Sequence, residues 1–397
     1  MLAACQRPAA ARSGVELADI FRAYGKSYRR NHPLPVSHLK VIEAVQRCRT
    51  AALGGHLERC DSCGFERPAD NSCRNRHCPK CQSLAKVKWL DKQKSEILPV
   101  GYFHLVFTLP HELNGLILTN KRILLSHLFK AVGETLVEFG HTRLGGQIGF
   151  ITVLHTWDQT LLDHFHLHCL VPAGALSFDQ KRWSPARNNF LFPVTALSTV
   201  FCGKFLDLLK NTFVRNKLLF VGQTASLANP TAFQLLTNAL RKKPWIVYAK
   251  KPFGSPAHVL DYLGRYTHRV ALSNDRILSA HNGDVTFSYR DRKDQNQKKT
   301  MPLDAHEFIR RFLLHVIPKG FVRVRHFGLL ANRSKSLLSK CRQLLALNPA
   351  LPKLPAKSVH ELMLQLTGID ITRCPLCQNG TLVFFANLPV PTPWDSS

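Results

Sequence analysis

The stretch Asp163-His164-Phe165-His166-Leu167-His168-Cys169-Leu170-Val171 alternates imidazoles with apolar side chains. A period of two is the mark of a β-strand, in which residues two apart share a face. Read that way, Phe165, Leu167 and Cys169 enter a core while His164, His166 and His168 project together from the opposite face. The segment is therefore committed to a sheet with one apolar face and one face rich in ligand nitrogens. Residues 149 to 157 have strand character just upstream, and a symmetric hairpin register would set His155 opposite His166. Two neutral imidazoles so placed can grip one divalent ion, and His155 offers a third nitrogen.

Around this strand the chain mixes strands and helices without regular alternation, which places its middle in the α+β class. Residues 1 to about 58 carry helix-like apolar spacing, 102 to 110 read as a strand ended by proline, and 113 to 140 and most of 175 to 243 read as helices. A strand at 245 to 249 and a helix at 256 to 268 follow, then two strands joined at His281-Asn282-Gly283-Asp284, where Asn-Gly signals a hairpin. Residues 290 to 299 read as a polar loop, 304 to 315 and 334 to 347 as helices, and the Pro-rich stretch 349 to 355 as a boundary. At 397 residues two or three domains are expected, and the pattern divides the chain into 1–95, helical and cysteine-rich; 96–300, mixed strand and helix with a helical insert at about 175–243; and 301–397, mainly helical with a cysteine-bearing tail.

Cys60-Asp61-Ser62-Cys63 and Cys78-Pro79-Lys80-Cys81 are two Cys-x-x-Cys pairs whose inner cysteines lie 15 positions apart. Four thiolates from two such turns complete a closed tetrahedral zinc site with no open position for chemistry, so this zinc is expected to be structural. Cys73 and His77 fall between the pairs and leave a different foursome, or a second site, open. Cys374-Pro375-Leu376-Cys377 is a lone pair that could be half of a second zinc ribbon, but no matching pair follows residue 341. Arg74, Arg76 and Lys80 crowd the first segment, which makes it a candidate DNA clamp.

Tyr262 and Tyr266 stand four apart, so on a helix they share a face, and His258 continues the stripe. A buried aromatic stripe is the ordinary reading of such spacing. Here Arg265, His268 and Arg269 crowd the same turns, and cationic neighbours suit a stripe that faces phosphate. Tyrosine, with an ordinary pKa of about 10, is a useful nucleophile only where a cation polarises the phosphate and its own proton is removed. The histidine strand supplies a seat for that cation, and a phosphotyrosine bond stores the energy for rejoining without ATP.

Lys and Arg total 54 against 26 Asp and Glu, a formal charge of +28 spread along the whole length. So large an excess repels itself unless a polyanion lies across it, which points to nucleic acid. A peripheral membrane protein would concentrate its charge on one amphipathic helix or tail. No apolar run reaches the roughly 18 residues that a membrane-spanning helix needs, and the start, Met1 to Arg7, breaks off before a secretory apolar region could form. A soluble, cytoplasmic protein is expected, with close cysteine pairs binding metal in a reducing compartment.

At these residues the sequence resembles the rolling-circle insertion-sequence transposases of the HUH endonuclease superfamily, the two-tyrosine kind with an N-terminal zinc-binding domain. The resemblance is carried by Cys-Arg-Thr-Ala-Ala-Leu-Gly-Gly-His at 48 to 56, Asn-Ser-Cys-Arg-Asn-Arg-His-Cys-Pro-Lys-Cys-Gln at 71 to 82 and Tyr-Phe-His-Leu-Val-Phe-Thr-Leu-Pro-His-Glu-Leu at 102 to 113. It continues through Leu-His-Thr-Trp at 154 to 157, the histidine strand and Trp-Ile-Val-Tyr-Ala-Lys-Lys-Pro-Phe-Gly at 245 to 254. Tyr-Leu-Gly-Arg-Tyr-Thr-His-Arg-Val-Ala at 262 to 271 and Arg-His-Phe-Gly-Leu-Leu-Ala-Asn-Arg at 325 to 333 complete it, in order along nearly the whole chain.

The resemblance implies an antiparallel-sheet nuclease core with helices on its faces, His166 and His168 as the metal pair, and Tyr262 and Tyr266 as the two nucleophile positions. His164, with Phe165 and His166, satisfies the same pattern. Implied partners are Mg2+ or Mn2+ at the histidines and single-stranded DNA ends as substrate, in a bacterial protein associated with the nucleoid when bound to DNA. The expected activity is transfer of single DNA strands through a 5′-phosphotyrosine, with Arg74, Arg76, Lys80, Arg265 and Arg269 holding DNA. A replication initiator or relaxase would share this core. A non-catalytic zinc-ribbon regulator would explain the charge and the cysteines but leave the histidines and tyrosines without purpose, and no acidic trio stands out for a two-metal alternative.

Overall fold

The chain folds as helices around antiparallel sheets, in keeping with the expected α+β class. The computed structural model describes residues 14–186, 190–253, 258, 259, 264, 270–291, 293–352, 355 and 357–391. Helices α1 (Leu17–Asn31) and α2 (Val36–Arg47) lead into the hairpin β1 (Gly55–Cys60) and β2 (Glu66–Asp70), then α3 (Pro79–Lys94). Next come β3 (Tyr102–Thr108), α4 (Asn114–Thr119), α5 (Lys121–Leu144), β4 (Gly146–Gln147), β5 (Gly149–Trp157), β6 (Asp163–Pro172), β7 (Gly174–Ser177) and β8 (Trp183–Pro185). They are followed by α6 (Val194–Val214), α7 (Pro230–Lys242) and β9 (Val247–Phe253). The remainder comprises β10 (Ile277–His281), β11 (Asp284–Asp291), β12 (Gln297–Asp304), α8 (Ala305–Leu314), β13 (Val324–Gly328), α9 (Lys335–Leu344), α10 (Val359–Thr367) and β14 (Leu382–Leu388).

The main sheet runs in the order β13-β5-β6-β3-β9 with every neighbouring pair antiparallel, so the histidine strand β6 is its centre. Its alternation is used as the sequence predicts. Phe165, Leu167, Cys169 and Val171 join Phe103, Leu105 and Phe107 of β3 in a core closed by α5 and α6, through residues such as Leu128, Phe129, Phe201 and Phe205. Phe107 meets Phe201 edge-on at 5.3 Å between ring centroids. Each fully buried Leu or Phe of this layer contributes roughly 1.5–3 kcal/mol, and the layer makes the sheet a stiff floor for the side chains on its other face.

That other face has two zones. At one end Tyr102, Ile151 and Leu170 lie in a cluster with Val259, Leu329, Leu338 and Cys341, so α9 and the residue Val259 cover it. At the other end stand the imidazoles. A third core joins α1 and α2 to the β10–β12 sheet and α8, with Phe21, Ile42, Val285, Phe287, Phe308 and Phe312 among its buried members. Segments from both sides of the expected boundaries near 95 and 300 thus share cores.

Two segments differ from the sequence reading. The polar loop expected at 290 to 299 is the turn of a hairpin, in which β11 and β12 pair from Asp284 with Asp304 to Asp291 with Gln297. Its strand character was masked because β12 packs only one side: Met301 and Leu303 lie against the third core while the alternate positions are exposed. The hairpin predicted at Asn282-Gly283 is present, and both residues take the positive φ, 54° and 86°, that such a tight turn needs. The mainly helical C-terminal region also supplies two strands: β13, an edge of the main sheet, and β14, which pairs with β1 from Gly55 with Leu388 to Cys60 with Leu382. Among the described residues no helix is long and apolar enough to cross a membrane.

Candidate functional site

β5 and β6 pair in the register that sets His155 directly opposite His166, with Val153 opposite His168. Side chains directly opposite in an antiparallel pair share a face, so His155 joins the β6 imidazoles. One ring nitrogen from each of His155, His166 and His168 lies within 4.8 Å of the others. The three residues are only 3%, 6% and 8% exposed. His164 shares the face, with its ring 4.6 Å from that of His166, but it stands outside this convergent group.

The rings are held by the protein. Nδ1 of His166 lies 2.8 Å from the His164 carbonyl oxygen, which can only accept, so that nitrogen carries the proton. Nδ1 of His168 lies 2.9 Å from Nε2 of His104, and these two rings stack at 5.1 Å. His155 stacks on Trp157 at 4.9 Å. His104 comes from β3, where it is buried; burial and then the Lys250 charge lower its pKa to about 3, so at neutral pH it is an uncharged partner. The sequence reading gave His104 no role, although it carries the same signal as the other histidines: an imidazole inside an apolar strand. Its contact with His168 is diagonal across the β3–β6 pair, with His104 opposite Leu170, and only the register reveals it.

The imidazoles open into a cleft of about 430 Å³, whose walls include Trp157, Gln159 and Thr160 and, from the β11–β12 hairpin, Tyr289, Arg290 and Lys293. The hairpin brings cations over the histidines where the sequence suggested a solvated loop. Asp158 shapes the rim by accepting from the amides of Thr160 at 2.8 Å and Leu162 at 2.9 Å. Tyr262, Tyr266, Arg265 and Arg269 lie outside the described residues.

The cysteines are sorted differently from the single site expected of Cys60, Cys63, Cys78 and Cys81. Cys78 and Cys81 converge with Cys48 and Cys73, whereas Cys60 and Cys63 converge with Cys374 and Cys377. The physical reason is that β1 and β2 carry the first pair away from the start of α3, where the second pair sits, and toward the strand β14. Cys73 therefore has a ligand-like place and His77 does not; His77 is buried, and burial with nearby cationic groups lowers its pKa to about 3. None of the described cysteines forms a disulfide.

The three basic residues of this segment also separate. Arg74 is exposed, Arg76 donates to the Phe321 carbonyl, and Lys80 pairs with Glu16 at 2.6 Å. Arg76 thus ties the N-terminal segment to the residues before β13, while the Lys80 ion pair lies within that segment.

Two family descriptions match the chain, "Putative transposase" over residues 149–337 and "Transposase zinc-binding domain" over residues 20–109. A curated relative named "Putative transposase y4qJ", from Sinorhizobium fredii, is 45% identical over 397 residues, covering 98% of this chain and 100% of its own. The chain belongs to the IS91/IS801 family of transposases. Another relative, "Transposase for insertion sequence element IS801" from Pseudomonas savastanoi pv. phaseolicola, is 28% identical over 344 residues, 85% of this chain and 81% of that one. No solved structure matches.

For this transposase the two matched segments separate the features just described. The zinc-binding match contains Cys48, Cys73, Cys78 and Cys81, in agreement with structural zinc, and the transposase match contains the three converging histidines and the hairpin over them. DNA binding and DNA transposition follow from the family. Cys374 and Cys377 lie outside both matched segments.

Proposed function

We propose that this transposase nicks and transfers single DNA strands through a 5′-phosphotyrosine, with Tyr262 or Tyr266 as nucleophile beside a divalent ion held by His155, His166 and His168. One observation carries the reading: three buried imidazoles from adjacent strands converge at a cleft edged by Arg290 and Lys293. Val259, three residues before Tyr262, is fully buried in a cluster with Ile151 and Leu170, which share the sheet face of His168; this supports a tyrosine delivered to that face. The phenol oxygen bonds to phosphorus, the bond from phosphorus to the 3′ oxygen breaks, and the departing strand leaves as a 3′-hydroxyl after gaining a proton. Attack by a 3′-hydroxyl on the phosphotyrosine reverses these bonds and joins strands.

Three imidazoles suit a transition-metal dication better than Mg2+, which prefers oxygen ligands, and of the two ions expected Mn2+ is the transition metal. When bound, a divalent ion supplies Lewis-acid polarisation of the scissile phosphate. With Nδ1 of His166 and His168 engaged by His164 and His104, Nε2 is the donor assigned in both rings. Arg290, Lys293 and Arg74 are the described cations assigned to phosphate, while Arg265 and Arg269 remain assigned from their neighbourhood to Tyr262 and Tyr266. Arg76 and Lys80 are given structural duty in place of the DNA contacts first expected of them.

The deciding experiment incubates the protein with labelled single strands from the element's ends and Mn2+, then maps any protein-linked nucleotide. A 5′-linked adduct on Tyr262 or Tyr266 is expected; cleavage without an adduct, or an adduct on another residue, overturns the reading. Two further results are expected. His104→Ala should weaken the response to Mn2+ by about 10–100-fold, because partners that orient a ligating histidine contribute on that scale; the half-saturating metal concentration should rise with little change in the saturated rate. With about six phosphate contacts, affinity for single strands should fall roughly 300-fold between 50 and 200 mM salt, a slope of about −4 on logarithmic axes. A flat salt response would mean that the +28 charge does not meet the DNA backbone.

A further inference from the structure

We propose that Cys60, Cys63, Cys374 and Cys377 hold a second structural zinc, one that clasps the tail of the chain to its N-terminal hairpin. This inference stands independently of the strand-transfer reading. The Sγ atoms of Cys60 and Cys377 are 3.7 Å apart, as are those of Cys63 and Cys374. A tetrahedron with Zn–S bonds of about 2.3 Å has edges of about 3.8 Å, whereas a disulfide would bring two sulfurs to about 2.05 Å. The spacing is therefore that of sulfurs around an ion.

The surroundings favour thiolates. Ser62 and Cys63 each direct a backbone amide to the Cys60 sulfur at 3.4 Å, and Gly380 directs one to Cys377 at 3.3 Å. Amides so placed spread the negative charge that four thiolates bring to one ion. The two Cys-x-x-Cys turns also interlock: the Asp61 amide donates to the Thr381 carbonyl at 3.1 Å, and the Thr381 amide donates to the Asp61 carboxylate at 2.8 Å. Gly380 permits the approach, since a Cβ there would lie 2.4 Å from the Cys60 sulfur and 2.6 Å from the Ser62 side chain.

Beyond the β1–β14 pairing, little apolar burial holds this lobe. Its buried cluster consists of Cys60, Cys374 and Leu382, with Phe65 and Cys377 packed on it. A core that small cannot fix a fold without a metal or another staple. The hairpin supplies two ligands early in the chain, and the site closes only when the tail, more than 300 residues later, returns with the other two.

The test uses the full-length protein substituted with Co2+, whose thiolate-to-metal absorption reports sulfur ligands and ignores any ion on the histidines. Wild type should show two four-sulfur sites per chain, and Cys374→Ser with Cys377→Ser should lose half of that absorption while keeping the other half. Equal absorption in both proteins overturns the clasp. A variant that does not fold is covered by a second measurement on zinc-loaded wild type, alkylation followed by peptide mapping. Cys63 is exposed, so burial alone cannot shield it. Cys63, Cys374 and Cys377 should resist alkylation with zinc and react together once a chelator removes it, whereas ready alkylation of the three in the loaded protein overturns the proposal.

Discussion

Tyr262→Phe combined with Tyr266→Phe is expected to abolish the covalent protein–DNA adduct. Phenylalanine keeps the ring and removes the oxygen, so shape and packing are preserved while the nucleophile is lost. Removing a nucleophile that acts as part of a catalytic unit lowers turnover by about 10⁴- to 10⁶-fold. DNA binding should persist, because the long-range charge that draws the polyanion is untouched. The measurement is a denaturing gel with end-labelled single strands, with filter binding on the same samples. Each single variant should still form an adduct through the remaining tyrosine if either can attack first. An adduct of normal yield in the double variant would remove both residues from the chemistry and assign the attack to another side chain.

The second large effect concerns the ion. His166→Ala combined with His168→Ala should eliminate Mn2+-dependent cleavage, a loss on the order of 10³-fold or more, since Lewis-acid stabilisation of a phosphoryl transition state amounts to several kcal/mol. His155→Ala should show the same kind of defect, because its ring is the third member of the convergent group. His164→Ala should cost far less, since that ring lines the cleft but stands outside the group. Mn2+ binding followed by electron paramagnetic resonance separates a lost ion from a misfolded protein, and single-strand binding should remain near wild type in all three variants. Full Mn2+ dependence in His155→Ala would reduce the site to the two histidines of β6.

The main sheet was legible because one strand carried two messages at once. The apolar members of the alternation in β6 required a core and the polar members required a shared face, and both requirements are met by a single strand conformation. His155 could be placed as well, since β5 and β6 are neighbours joined by a short turn, and a short connection leaves few registers to choose from. His104 could not, because β3 and β6 are far apart in sequence and no local rule fixes which residues of distant strands meet. The β11–β12 hairpin escaped notice for another reason: its second strand is half solvent-exposed, so its polar residues imitate a loop.

The cysteines mark the boundary most sharply. A Cys-x-x-Cys turn has the same local conformation whichever partner it meets, so the sequence by itself determined that thiolates would be presented in pairs and that histidines would line one face of a strand. Which pairs meet was decided by tertiary structure alone. The long-range pairing of β14 with β1 carries Cys374 and Cys377 to Cys60 and Cys63, and leaves Cys48 and Cys73 to complete the set begun by Cys78 and Cys81. Local chemistry chooses which side chains are presented, but the closure of a long loop, driven by contacts distributed over the whole fold, chooses the company they keep.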